Sequence, residues 1–438
     1  MIYTIRLEEF HSLQTRNRLR LATISVIIGA ILNRVVYFSV VDQAVVSGSM
    51  FALNLALIGF TTAESYGNFV LVFALSLLAY GAQNAITLMP LNVLLPTRFG
   101  QSRRMTLQML STLDAAVLIV ASIVVAVLGI WTGLPLILCG LGGLLSLTSG
   151  AREFHRALFL TNNKPYGLLR LDITAFTTAI VITLVLSNVR PLEDAVLIGL
   201  IVGNLTSLAV FRQATHCSLL RLPQMARRYA PYWRKSRWAL FGAAVTEARF
   251  RLYVFVIEFA RGSAALGVIH AGRVLVNPVA LLAFAWARAS RPILAKQLAA
   301  THKRAALETL AVGVVGLTLV GVVYVALLNA VMPYLIAFVP DLGGQEFLKY
   351  LPLWSAFAVI SVPAICIGVY FQANHRYQVV AISTLASVLL SGLLLGGLFF
   401  GAPLKWTIYC LVIGEIVQLL ALLYILLPEL ISARRVQA

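Results

Sequence analysis

The sequence is dominated by apolar runs long enough to cross a bilayer as helices, which takes roughly 20 residues each. Twelve such runs lie near residues 37–61, 68–95, 105–131, 133–159, 172–189, 195–211, 238–260, 264–291, 306–332, 348–372, 377–400 and 406–427. Lipid offers backbone groups no hydrogen-bond partners, so a segment of this kind must satisfy them internally as a helix. Composition agrees. Of 438 residues, 60% are hydrophobic and 11% charged, against roughly a quarter charged in soluble domains, and the mean hydropathy is +0.90. A soluble fold is excluded. The expected class is an all-α polytopic membrane protein of about 12 transmembrane helices in two six-helix bundles around a central cavity.

The chain is also basic, with 34 Lys and Arg against 16 Asp and Glu and a formal charge of +18. Short cytoplasmic loops collect Lys and Arg, and this layout sorts the cations accordingly. With both termini inside, 22 of the 34 fall on the cytoplasmic side, four outside, and eight within or at the ends of apolar runs. Topology and lipid headgroups thus account for most of the charge, and a nucleic-acid partner is not needed. The eight are Arg34, Arg152, Arg156, Arg249, Arg251, Arg273, Arg288 and Arg291.

The longest loop, 212–237, separates six runs from six. It gives a cytoplasmic arm and interfacial helix over 1–36, an N-terminal bundle over 37–211, a basic cytoplasmic linker over 212–237 and a C-terminal bundle over 238–438. Two strings at corresponding places echo each other: Phe159, Asn162, Asn163, Lys164 and Tyr166 after span four, and Phe371, Asn374, Arg376 and Tyr377 after span ten. Halves that both begin inside after an even number of spans would be parallel repeats.

An ionised side chain at mid-membrane costs about 2.5 to 3.5 kcal/mol on insertion scales, so embedded charges face a cavity or a partner. In span seven, Glu247, Arg251 and Glu258 lie at i, i+4 and i+11, one narrow helical face, with Arg249 off it. An internal Glu247–Arg251 salt bridge and a water-filled lumen both fit. In span eight, His270, Arg273, Asn277, Phe284, Arg288 and Arg291 form a polar stripe beside Pro278, a candidate hinge. Arg288 and Arg291 have the alternative of snorkelling to headgroups. In the first half, Asp42 and Gln43 open span one, Gln83 and Asn84 lie in span two, Asp114 in span three, and Arg152, Glu153 and Arg156 near the inner end of span four. The expected cavity set is Arg152, Arg156, Asn84, Arg249, Arg251, His270, Arg273, Asn277 and Arg288, and the ion-coupling candidates are Asp42, Glu247 and Glu258.

No G-x-x-x-x-G-K-[ST] loop is present, so the chain carries no P-loop nucleotide engine. Cys139, Cys217, Cys366 and Cys410 are scattered singly, indicating neither a disulfide framework nor a zinc site. No cofactor is expected.

Local strings resemble the MOP superfamily, and within it the Wzx-type oligosaccharide-lipid flippases of the polysaccharide-exporter kind, similar to O-antigen translocases. They are Asp42-Gln43 with Ser47-Gly48-Ser49-Met50-Phe51, Glu64-Ser65-Tyr66-Gly67-Asn68-Phe69, Ala265-Leu266-Gly267 and Arg291-Pro292. The likeness runs over nearly the whole chain through loose, mostly structural motifs. It implies two bundles enclosing a cavity that opens to each side in turn, in a bacterial inner membrane. The implied cargo is a polyprenyl-pyrophosphate-linked oligosaccharide, moved from the inner to the outer leaflet for O-antigen, capsule or exopolysaccharide synthesis. Implied partners are membrane lipids and the polysaccharide polymerase and chain-length or export proteins, with the transporter itself a monomer and not an enzyme. Physically, such a cargo needs Arg forks for phosphate and polar or aromatic groups for sugar. Two alternatives stand beside it. A MATE-like multidrug or cation antiporter would want an acidic, aromatic lining. A membrane polymerase or ligase would want large outer loops, and the best candidate, 333–347, holds only Asp341 and Glu346 as acids.

Overall fold

The computed structural model describes residues 38, 41–96, 98–162, 164–211, 213, 215, 217–300, 302–337 and 345–435. The arm and interfacial helix expected over 1–36 lie outside them. All regular structure among these residues is helical, and twelve long helices follow one another: α1 (Val41–Phe60), α2 (Ala63–Leu94), α3 (Gly100–Trp131), α4 (Leu136–Thr161), α5 (Pro165–Leu186) and α6 (Leu192–Phe211), then α7 (Leu222–Arg261), α8 (Ser263–Ala299), α9 (Lys303–Ala337), α10 (Leu351–Ala373), α11 (Tyr377–Leu395) and α12 (Trp406–Arg435). Each overlaps one expected span. Ten are long and apolar enough to cross a membrane. The two that fall short in composition, α4 and α7, carry the Arg152/Glu153/Arg156 and Glu247/Arg249/Arg251/Glu258 sets.

Residues 222–237, expected within a linker, are helical and continuous with span seven, so α7 has 40 residues. Its first turns are amphipathic: Met225 and Tyr229 are buried one turn apart, whereas Arg227 and Arg228 are exposed. Met225 and Tyr229 pack with Leu91, Leu110, Phe154 and Leu158 of the first half. A loop reading failed here because polarity was taken for irregularity, while the apolar residues kept a helical period. Helix α8 continues through Pro278 without interruption.

The packing pattern repeats. In the first half α2 packs on α3 and α4, α3 on α4, α4 on α5 and α6, and α5 on α6; in the second, α8 packs on α9 and α10, α9 on α10, α10 on α11 and α12, and α11 on α12. The echoing strings form the same turn. Asn162 N donates to Leu158 O and Asn374 N to Tyr370 O, both at 3.0 Å, and Lys164 N donates to Phe159 O and Arg376 N to Phe371 O, both at 2.9 Å.

The halves meet along α2, which packs on both α7 and α8. Where the first turns of α2 and α8 cross, glycine permits backbone contact. A Cβ on Gly67 would sit 1.8 Å from Ser263 O, and one on Gly267 would sit 2.0 Å from Ala63 O. These are two small-x-x-x-glycine pairs facing each other, a pattern by which membrane helices approach closely. The crossing closes the end of the molecule that the sequence expects outside. Near its other end α2 passes through one π turn, Asn84–Leu88, a local register change that leaves carbonyls looking for partners.

Candidate functional site

A cavity of about 560 Å³ lies between the halves, lined by α1, α2, α7, α8, α10 and Glu415 of α12. That volume is in the range of roughly 300 to 1,000 Å³ that holds one small ligand or headgroup. Five expected residues, Arg249, Arg251, His270, Arg273 and Asn277, line it together. The polar stripe of α8 therefore faces a lumen from His270 through Phe284. Arg291 is exposed and does not line it, and of the Arg288 side chain nothing is described. Helix geometry sets Arg249 off the narrow face shared by Glu247, Arg251 and Glu258, yet Arg249 and Arg251 line the same cavity. A guanidinium on a four-bond stem reaches around a helix, so Cβ direction alone misjudges it.

The three cavity arginines are not equivalent. Arg249 makes a bidentate pair with Glu415, donating from Nη2 to Oε2 at 2.7 Å and to Oε1 at 2.8 Å, with Nε at 3.1 Å. Arg251 is paired with Glu247 one turn away, and Glu247 in turn packs on α2, where a Cβ on Gly81 would be 2.9 Å from its Cγ. The Glu247–Arg251 salt bridge is thus present, and its Arg251 also lines the cavity. Arg273 makes no carboxylate pair among the described residues. Its Nη1 donates to Phe250 O at 2.8 Å, and its guanidinium carbon lies 4.8, 5.7 and 6.0 Å from the ring centroids of Tyr253, Trp354 and Phe357. The cage is braced: Trp354 Nε1 donates to Ile269 O at 2.8 Å, and the Tyr253 hydroxyl meets His270 Nδ1 at 2.5 Å. An aromatic cage holds a guanidinium by its faces, and one edge donor of Arg273, Nη1, is taken by the Phe250 carbonyl. Among the described residues, the cavity wall therefore carries one cation without a carboxylate partner, Arg273.

The arginines of the first half sit elsewhere. Arg156 is the hub of a buried ion cluster, with Nη2 2.7 Å from Asp42, Nη1 2.8 Å from Glu153 and Nε 2.7 Å from Asp172. Arg152 lies 3.7 Å from both Asp172 and Glu153, with its guanidinium carbon 5.1 Å from the centroid of the Phe176 ring. Arg156, Asp42 and Asn84 border a second cavity of about 220 Å³. These groups join α1, α4 and α5 within one half, whereas the large cavity joins the two halves. Glu258 borders neither cavity; it accepts a hydrogen bond from Ser263 Oγ at 2.8 Å across the α7–α8 turn.

Sequence reasoning missed Glu415, Asp172 and the Tyr253/Trp354/Phe357 cage. The two acids carried a usable signal, since each lies in an apolar run where an ionisable group needs a partner. The aromatic residues carried none, because aromatic residues are common throughout such runs.

No family model and no curated protein matches the chain. Its fold does match solved structures. A multidrug resistance MATE family transporter of the MOP superfamily in an inward-facing conformation aligns with TM-score 0.65 and 12% identity, covering 90% of this chain and 96% of that one. The lipid II flippase MurJ in an inward closed conformation aligns with TM-score 0.59 and 14% identity over 89% and 87%. The eukaryotic MATE transporter AtDTX14 aligns with TM-score 0.58 and 15% identity over 92% and 98%. The chain thus has the fold shared by MOP superfamily transporters, an all-helical multi-pass membrane architecture found in both drug exporters and a lipid flippase.

Proposed function

We propose that this protein is a flippase for an anionic lipid-linked glycan, a polyprenyl-pyrophosphate-linked oligosaccharide moved from the inner to the outer leaflet of a bacterial inner membrane for surface polysaccharide synthesis. The observation that carries this reading is Arg273, the cation without a carboxylate partner among the described residues of the cavity between the halves. A cationic drug would meet the wrong sign there, since Glu415 and Glu247 are both occupied by arginines. A pyrophosphate meets a guanidinium whose remaining donors are presented and whose surroundings exclude much of the competing water, which strengthens the attraction. The partly exposed aromatic lining from Phe73, Phe250, Phe284 and Phe357 gives sugar rings flat faces to stack on. The cavity suits a headgroup, so the polyprenyl tail stays in lipid and only the polar end crosses.

In this reading both termini are cytoplasmic, the six-helix halves are the N- and C-terminal bundles on either side of residues 212–237, and the monomer is the working unit. Membrane lipids and the polysaccharide polymerase and chain-length or export proteins are its partners. The α2–α8 crossing at Gly67 and Gly267 is then the closed outer gate, and opening outward means separating that backbone contact.

The test is binding by purified protein in nanodiscs, read as a change in tryptophan fluorescence, with Trp354, 5.7 Å from the Arg273 guanidinium, as the reporter. Polyprenyl pyrophosphate is expected to bind with affinity lowered at least tenfold by Arg273→Ala and partly restored by Arg273→Lys. Neutral polyprenol is expected to bind equally to all three. Tighter binding of a lipophilic cation such as ethidium than of the pyrophosphate would favour the MATE-like reading instead.

A further inference from the structure

The acids singled out for ion coupling are all engaged: Asp42 with Arg156, Glu247 with Arg251, and Glu258 with the Ser263 hydroxyl. A different acid stands apart. Asp114, near the middle of α3, is 4% exposed and forms no ion pair among the described residues. Its Oδ1 accepts from Gln83 Nε2 at 3.0 Å and from Thr87 Oγ1 at 2.5 Å. Gln83 is itself fully buried, donates also to Gly150 O at 2.8 Å, and leaves its Oε1 without a partner. A carboxyl in that setting has neutral donors around it, an open acceptor beside it and no countercharge.

Its neighbours make the charge state consequential. Thr87 Oγ1 lies 2.5 Å from Asp114 Oδ1 and also 2.9 Å from Gln83 O, within reach of both. A hydroxyl has one proton to donate. An ionised Asp114 takes it, and a protonated Asp114 releases it to the Gln83 carbonyl, which borders the π turn of α2. From that turn, Ile86 O accepts the Tyr229 hydroxyl of α7 at 2.6 Å. Tyr229 belongs to the apolar cluster that seals the first turns of α7 onto α2, α3 and α4. A continuous chain of contacts thus runs from one carboxyl to the seal at the end opposite the glycine crossing.

We propose that Asp114 is the proton-binding site of this transporter, and that its occupancy sets the hydrogen bonding of the α2 π turn and so the strength of the α7 seal. The groups facing Asp114 are few. From α2 they are the neutral Gln83 and Thr87. From α4 it is Gly150, reached through Gln83, while Arg152 nearby turns to Asp172 and Phe176. From the segment before α7, Ser218 N donates to Thr112 Oγ1 at 3.2 Å and the Cys217 thiol lies within electrostatic reach. From α7 the contact is Tyr229, to the π turn. Gln83 presents its Nε2 donor to the carboxylate Oδ1, and the sodium comparison below separates a proton from a metal cation at this site. The site rests on the transporter reading only for its role in coupling, and both arms of the test work without cargo.

The first arm treats the wild-type protein in nanodiscs with dicyclohexylcarbodiimide, which reacts with protonated carboxyls in apolar surroundings, over a pH series, with adducts located by peptide mass spectrometry. An adduct at Asp114 is expected, falling about tenfold per pH unit once the group titrates, and indifferent to replacing choline chloride by sodium chloride. Its absence at every pH, or protection by sodium, overturns the proposal. The second arm places spin labels at Ser102→Cys and Ala226→Cys in a Cys217→Ala background. The distance between α3 and α7 is expected to change over the pH range where the adduct titrates, and to be fixed in Asp114→Asn and in Thr87→Val but restored in Thr87→Ser. A distance that ignores pH while the adduct titrates breaks the link to the seal.

Discussion

The two halves share a packing pattern and a turn, yet they treat buried charge in opposite ways. In the first half, Arg152 and Arg156 meet Asp42, Glu153 and Asp172 inside one bundle, leaving a surplus of one negative charge. In the second, Arg249, Arg251 and Arg273 meet Glu415 and Glu247 on the wall between bundles, leaving a surplus of one positive charge. The first arrangement is internally paired: each Arg156 nitrogen lies within 2.8 Å of a carboxylate oxygen. The second leaves Arg273 with aromatic faces and one carbonyl, so its charge is available to something that enters. The same residue type therefore reads as structure in one half and, under the proposed function, as recognition in the other, and what separates them is the partner.

Substitutions can break or sharpen that contrast. The largest effect is expected for Arg156→Ala, which strands the buried Asp42 and leaves Asp172 and Glu153 to Arg152 alone; loss of one partner from a buried ion pair costs about 3 to 5 kcal/mol, and thermal unfolding in detergent should show it, with Arg156→Lys intermediate. Next is Gly67→Leu at the α2–α8 crossing, where the new side chain meets a backbone oxygen that cannot retreat. A cost of about 3 kcal/mol to the closed arrangement is expected, seen as increased labelling of a cysteine placed at Ser65. In the cavity wall, Arg249→Ala and Glu415→Gln should each destabilise by about 3 kcal/mol and the double variant by less than their sum; additive losses would mean the pair is not coupled. Arg273→Ala removes cation–π contacts and strands no acid, so about 1 kcal/mol or less of stability should be lost while transport fails. A large stability loss there would return Arg273 to the structural class. Smallest is Arg304→Ala, whose pair with Glu308 is 69% and 63% exposed, expected to change stability by under about 0.5 kcal/mol.

Much of the fold was legible because the bilayer imposes its signal residue by residue. Every described long helix overlaps a run marked by hydropathy, and Phe159–Tyr166 and Phe371–Tyr377 pointed to a repeat that the hydrogen bonds of both turns display. The start of α7 was not legible, since helical period there is carried by a few residues such as Met225 and Tyr229 among arginines. For the cavity, the embedded arginines of α7 and α8 marked two of its lining helices while those of α4 did not, and His270, Arg273 and Asn277 do line one lumen. Which arginines were free was beyond the sequence. Glu415 lies 166 residues from Arg249, and Asp42 lies 114 from Arg156, so pairing was decided by tertiary structure.

The central claim is that Arg273 recognises an anionic lipid-linked glycan in transit. Its most direct test is the leaflet position of lipid-linked oligosaccharide in cells depleted of this protein, read with an impermeant sugar-directed probe on intact spheroplasts. Accumulation in the inner leaflet, reversed by the wild type and not by Arg273→Ala, is the expected result. Accumulation of unpolymerised units in the outer leaflet would contradict it, since the precursor would then have crossed without this protein, which would act at a later step.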